Sequence, residues 1–230
     1  MKGIDIIAAF ELEINKFDKP EEKPDTDVSI YWINQGMYKF VKDRFNGNTP
    51  KRTSYEQNEK RTRDLVKLFV EQSLNCIDVD KTHADYDSYS YTYPTTMMYV
   101  LNEDVVISDN ENQNLKDTCV FECTSDSFMY RINNSLTDFH YRNHKARPLR
   151  IRTSNGLRLL TDKNYKIQSY TLGYLKFPEE LISTKGYNYN YSDFEDYTWL
   201  EIVKIAAQMY IENQADPRYK TITNEVLTQE

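Results

Sequence analysis

The two ends of this chain carry the hydrophobic period of helices and its middle carries the period of strands. That order limits the fold more than any single motif. From Thr198 to Asn213, the residues Trp199, Ile202, Val203, Ala206 and Tyr210 line one helical face. Asp216-Pro217-Arg218-Tyr219 stops this helix, because proline has no N–H to give and crowds the preceding turn. At the other end Ile7, Phe10, Ile14 and Phe17 share a face, and Pro20 and Pro24 end that helix. Asp25, Thr26 and Asp27 offer N-caps to a second helix, which Ile30, Ile33, Met37, Phe40 and Val41 carry to about Phe45. Asn46 to Pro50 reads as a turn and Ser54-Tyr55-Glu56-Gln57 as a capping box; Leu65, Leu68 and Phe69 then form the stripe of a third helix.

The texture changes at Cys76. Tyr89, Tyr91 and Tyr93 alternate with Ser90 and Thr92, the period of a strand, and Met97, Tyr99 and Leu101 continue it past Pro94. Val105 to Ile107, Cys119 to Thr124 and Phe128 to Ile132 are further short strands by the same rule. Pro148 to Asp162 is the clearest hairpin: Leu149 and Ile151 alternate with Arg150 and Arg152, Asn155-Gly156 supplies the turn, and Leu157 to Leu159 return. Tyr165 to Leu175 is the next strand. The expected fold is therefore α+β. N-terminal helices and the C-terminal helix form a helical bundle, residues 1–76 with 197–230, around an inserted antiparallel β-sandwich or small barrel, residues 77–196.

Several function classes fall away on composition. With 230 residues and a net charge of −7 the chain does not have the balance of a general nucleic-acid binder. No run approaches the roughly 18 apolar residues of a membrane span, and Asp5 interrupts the stretch where an export signal would be apolar. Three cysteines, an odd number, point to free thiols in a reducing compartment. The chain has no Gly-x-Gly-x-x-Gly, P-loop, Gly-x-Ser-x-Gly or His-Glu-x-x-His, so no enzyme and no cofactor is expected.

Cys119, Cys123, His140 and His144 have spacings near those of a zinc finger, but two cysteines four apart on one strand are separated by about 13 Å. Zinc needs both thiolates at about 2.3 Å. Two buried strand cysteines and two surface histidines are expected instead. Asp78, Asp80, Asp85 and Asp87 surround His83, but an EF-hand counted from Asp78 would place its glycine at His83 and its closing glutamate at Tyr89.

The strongest local signal is charge. Between His140 and Lys166 stand eight Lys or Arg (142, 145, 147, 150, 152, 158, 163 and 166) against the single acid Asp162, within an acidic chain. Strand alternation puts Arg150 and Arg152 on one face with Arg158 on the facing strand. Such a patch meets an acidic partner or a phosphate backbone, or else is a solvated hairpin face.

Three stretches resemble the head–tail connector ring (adaptor) proteins of tailed bacteriophages, of the crAss-like type found in phages of Bacteroidetes. They are the N-terminal helix and the Pro/Asp break after it, then Ile30 to Asn46 and Glu56 to Leu65; Arg147 to Arg152 with Tyr165 to Pro178; and Glu201 to Asn213 with Asp216 to Tyr219. The segment at about 78–112, acidic and Tyr-rich, has no counterpart in that resemblance. The resemblance implies a non-enzymatic virion protein at the portal vertex, assembled in the host cytoplasm. It implies a ring of copies of itself, commonly a dodecamer, that meets the portal protein and other connector or tail proteins and lines the DNA channel, with non-specific DNA contact. Arg147, Arg150, Arg152, Arg158, Arg218 and Tyr219 are the expected partner- or DNA-facing residues. A tail-tube or decoration protein, and a Tyr-rich binding module for glycans or single-stranded nucleic acid, are the other readings.

Overall fold

The computed structural model describes residues 1–15, 24–46, 59–111, 115–142, 145–154, 156–185 and 188–214. The chain is α+β and divides into two compact units. One is Met1–Leu68 with Pro178–Glu230; the other is Phe69–Phe177. Among the described residues, no helix is long and apolar enough to cross a membrane.

In the first unit, α1 (Gly3–Ile14) turns Ile6, Phe10 and Ile14 inward. The expected stripe began at Ile7, which is only half-buried; Phe17 lies outside the described residues. Along α2 (Thr26–Asn46) the spacing holds: Ile33, Met37, Phe40 and Val41 are buried, while Ile30 is half-buried. All five expected face residues of α5 (Asp196–Asn213) are buried. Both α1 and α2 pack on α5, with Tyr210 meeting Phe10 and Trp32 edge-on at centroid distances of 6.1 and 6.2 Å. Gly36 lets α2 lie against α5: a Cβ there would stand 2.8 Å from the Cβ of Ala206 and 2.9 Å from its backbone nitrogen.

The far end of α2 carries a buried cation. Arg44 Nε meets Asp64 at 3.1 Å and its Nη2 meets Glu201 at 2.5 Å. Burial pushes the Asp64 carboxyl above its ordinary value, against the opposing pull of Arg44 and Lys60. Asp64 belongs to α3 (Glu59–Leu65), whose chain continues through a single 3₁₀ turn, Val66–Leu68. Phe69, expected on this helix, instead opens a strand. Its backbone pairs with Leu175, a non-local partner that overrides local period. The expected capping box at 54–57 lies outside the described residues.

In the second unit, β1 (Phe69–Leu74), β9 (Tyr165–Lys176), β4 (Met97–Asp109) and β5 (Leu115–Cys119) form one sheet in that order. The other sheet runs β2 (Asp78–Asp80), β3 (Asp87–Thr92), β8 (Gly156–Thr161), β7 (Leu149–Arg152) and β6 (Phe121–Glu122). Every pair is antiparallel except β6 with β7. These are two sheets and no closed barrel, which corrects the barrel alternative. Tyr89, Tyr91, Leu157 and Leu159 from one sheet share a core cluster with Val105, Ile107, Tyr170 and Leu172 from the other. Gly156 opens β8 where a side chain would meet the Tyr91 carbonyl at 2.0 Å.

Three strand expectations change. Cys119–Thr124 is divided, with Cys119 ending β5 and only Phe121–Glu122 forming β6. Met97–Leu101 and Val105–Ile107 belong to one long strand with register shifts. Phe128–Ile132 is instead part of helix α4 (Phe128–Asn133). The hydroxyls of Thr124 and Ser127 bond at 2.7 Å in the turn before it, and the Arg131 guanidinium sits 3.9 Å over the ring of Phe121. With Ile132 buried against Phe139 and Leu149, these contacts override the strand propensity of Phe, Tyr and Ile.

Candidate interaction surface

The structure separates the four hairpin-region arginines that the sequence grouped. Arg150 is buried, its side chain only 4% exposed. It reaches across from β7 to Glu103 of β4, and its Nη2 meets Glu122 of β6 at 2.6 Å. Tyr170 donates to the other Glu103 oxygen at 2.6 Å. Burial raises the Glu103 carboxyl above its ordinary value, with Tyr170 and Arg150 pulling the other way. Burial, then the facing Glu103 charge, pushes the Tyr170 phenol far up. The charge of Arg150 is thus used between the two sheets.

Arg152 stays exposed on the same face and shares Glu122 at 3.1 Å. Arg158 pairs in register with Ile151, not with Arg150, so it projects from the opposite face of the sheet. Arg147 is exposed, 3.9 Å from Asp138. Arg218 and Tyr219 lie outside the described residues.

An open cleft of about 400 Å³ lies beside β5. Lys116 and Thr118 come from β5; Leu136, Asp138, His140, Arg142, Lys145 and Arg147 come from the chain between α4 and β7. That connecting chain is braced from behind. Thr118 donates to the Ala146 carbonyl at 2.8 Å, and Arg147 N–H donates to the Asp138 carbonyl at 2.8 Å. The buried Asp162 carboxylate accepts the Tyr141 N–H at 2.7 Å, and His140 Nε2 donates to the Ile132 carbonyl at 3.0 Å. Arg142 and Lys145 exchange backbone hydrogen bonds at 2.9 and 2.8 Å. A hydrogen-bonded backbone therefore carries exposed cationic heads, and among the described residues Lys116, Arg142 and Lys145 have no acidic partner. Leu136, at the cleft, is 82% exposed, and Tyr130 on α4 is 74% exposed.

Lys116 was missed because it lies outside the basic run, and Leu136 because nothing in its neighbourhood is periodic. Arg142 and Lys145 were visible in the run but were not separated from its structural members. Cys123 is buried and Cys119 exposed, so only one of the two expected buried cysteines is inside. Cys119 ends β5 and Cys123 follows β6, so they do not share a strand. His140 is half-buried; His144 lies outside the described residues. Among the described residues, no group of three His, Cys, Asp or Glu could hold a metal ion.

The cleft thus sets cationic side chains on a hydrogen-bonded loop beside the exposed Leu136. Residues 24–189 match the family model described as phage tail ring protein 3/4, a match that includes the whole β unit. The chain belongs to this crAss-like phage tail ring family and is a ring-forming structural component of a bacteriophage virion. The match runs through 78–112, for which the resemblance had no counterpart, and ends before α5 and Asp216–Tyr219. A comparison with curated proteins gives no match.

Proposed function

We propose that the chain is a non-enzymatic subunit of a ring in the head–tail connector, one that joins the portal to the tail and lines the channel through which DNA passes. The observation that carries this reading is the tail-ring family match over 24–189. The net charge of −7 supports it, because an acidic lumen keeps passing DNA from adhering. A dodecamer, assembled in the host cytoplasm, is the form this reading takes. Its working parts are a bundle of α1, α2 and α5 and a sandwich of the two sheets. Exposed Arg147, Arg152 and Arg158 are its partner-facing set on the β unit, and Arg218 and Tyr219 belong to a docking arm. The test is to size and image the full chain mixed with its cognate portal protein. A stoichiometric ring on the portal supports the reading; a chain that stays monomeric beside the portal overturns it. Labelled particles showing the chain along the tube or on the capsid would assign it to tail-tube or decoration protein instead.

A further inference from the structure

The β unit has two opposite edges with opposite chemistry. β1 and β2 are the outer strands of their respective sheets and are joined by the short link 75–77. β5 and β6 are the outer strands on the other side and are joined through Val120 alone. Each linked pair therefore marks one side of the unit. At the β1/β2 edge stand Glu71, Asp78 and Asp80, with Phe69, Ile77 and Val79 being 42%, 66% and 40% exposed. At the β5/β6 edge lies the cleft with Lys116, Arg142, Lys145 and Arg147, bordered by the exposed Leu136.

We infer that the β5/β6 cleft receives the acidic β2 edge of a second copy of this chain, so that the β units associate head to tail. The inference rests on the ring reading above. Its basis is complementarity in both charge and apolar surface. Cations face carboxylates at the rim, while Leu136 meets Ile77 and Val79 at the centre, the arrangement of a protein interface. Duplex DNA fits the cleft less well. Its phosphate backbone gives the exposed Leu136 no apolar partner. Because the two complementary patches lie on opposite edges of one unit, the contact is heterologous. Such a contact repeats from copy to copy and makes a ring when its rotation closes, whereas self-complementary patches would give a two-fold pair.

The test uses full-length protein, alone and with its cognate portal, and two charge-reversed variants. Arg142→Glu with Lys145→Glu makes the cleft acidic; Glu71→Lys with Asp78→Lys makes the edge basic. All four side chains are exposed, so circular dichroism should match the wild type. Like charges now face each other in each variant alone, and self-association should fall by roughly 10–100-fold. Mixed in equal amounts, the variants restore opposite charges at every contact, and rings of alternating subunits should form. Either variant assembling like the wild type overturns the inference while leaving the ring reading intact, as does a mixture of folded variants that fails to assemble. Normal assembly of the cleft variant together with loss of salt-sensitive duplex binding would reassign the cleft to phosphate. Wild-type protein that forms no ring under either condition sinks both readings.

Discussion

Replacing Arg150 with Met removes the cation between the two sheets and keeps most of its apolar volume. Glu103 is then left 12% exposed, with only the Tyr170 hydroxyl as a hydrogen-bond partner in the site. Removing one member of a buried ion pair costs about 3–5 kcal/mol, because the remaining charge is stranded away from water. Glu122 is 59% exposed, so losing its half of the pairing adds at most about 1 kcal/mol. Arg150→Met should therefore lower the urea midpoint with the slope unchanged, by an amount equal to about 3 kcal/mol or more at pH 7. Adding Glu103→Gln removes the stranded charge, keeps an acceptor for Tyr170, and should recover most of the loss. The pH dependence has a defined sign. Glu103 is already raised above 4.5 by burial, and loss of Arg150 raises it further. A carboxyl raised in the folded state contributes its full stability below its unfolded pKa and loses it as pH rises through the folded one. The Arg150→Met penalty should thus be small near pH 4 and grow toward pH 7. Arg152→Met, on the same face but 64% exposed, is the control, with a change of about 0.5 kcal/mol or less. An Arg150→Met loss under about 1 kcal/mol at pH 7, or a penalty that does not vary with pH, would refute the buried-pair reasoning.

Gly36→Ala should destabilise the helical unit by about 1 kcal/mol in thermal melts, since overpacking against the Ala206 backbone outweighs alanine's better helix propensity; a rise in melting temperature would mean that α2 and α5 can move apart at little cost. Arg44→Met should cost about 3–5 kcal/mol, with Arg44→Met/Asp64→Asn recovering part of it in a double-mutant cycle; additive losses would show that the pair is not coupled. Burial holds the phenols of Tyr91, Tyr165 and Tyr170 above their ordinary value of 10, so their share of stability is complete below pH 10 and is lost as pH rises beyond it. Phenolate absorbance should therefore show some of the 19 tyrosines ionising only as the fold is lost; one smooth curve on folded protein, centred near the ordinary value, would contradict this. Deleting the residues after Asn213 should leave the circular dichroism of the monomer unchanged and weaken assembly, as measured by sedimentation; an unfolded product would assign that segment to the core.

Elements whose pattern is local and strong were legible in the sequence. The β7–β8 hairpin follows from strict alternation around Asn155-Gly156, and the α5 stripe from five apolar residues at helical spacing. The α1 stripe holds at Phe10 and Ile14, but its first residue is Ile6 and not Ile7, because Ile4, Ile6 and Ile7 are all aliphatic and periodicity cannot rank them. Phe69 and Phe128 went to the wrong element type because distant or through-space partners decide them: Leu175 for the first, and the cluster around Phe139 and Leu149 for the second. The same limit applies to the interaction surface. A run of cations is visible in one dimension, but the placement of Arg150 inside depends on Glu103, 47 residues away on another strand. Lys116 joins the cleft only because β5 runs alongside the loop that precedes β7.

The pairing of Phe69 with Leu175 has a consequence for how the molecule folds. The β unit leaves and rejoins the helical unit through two strands that lie side by side, with opposed Cα atoms about 5 Å apart. Without that pairing, bringing α2 and α5 together closes a loop of about 150 residues, at an entropic cost of about 4 kcal/mol. Once β1 and β9 are paired, about forty linking residues remain, 47–68 and 177–195, and about 1 kcal/mol of that cost is gone. The inserted unit acts as a clasp: its closed base shortens the path along which α2 and α5 must find each other.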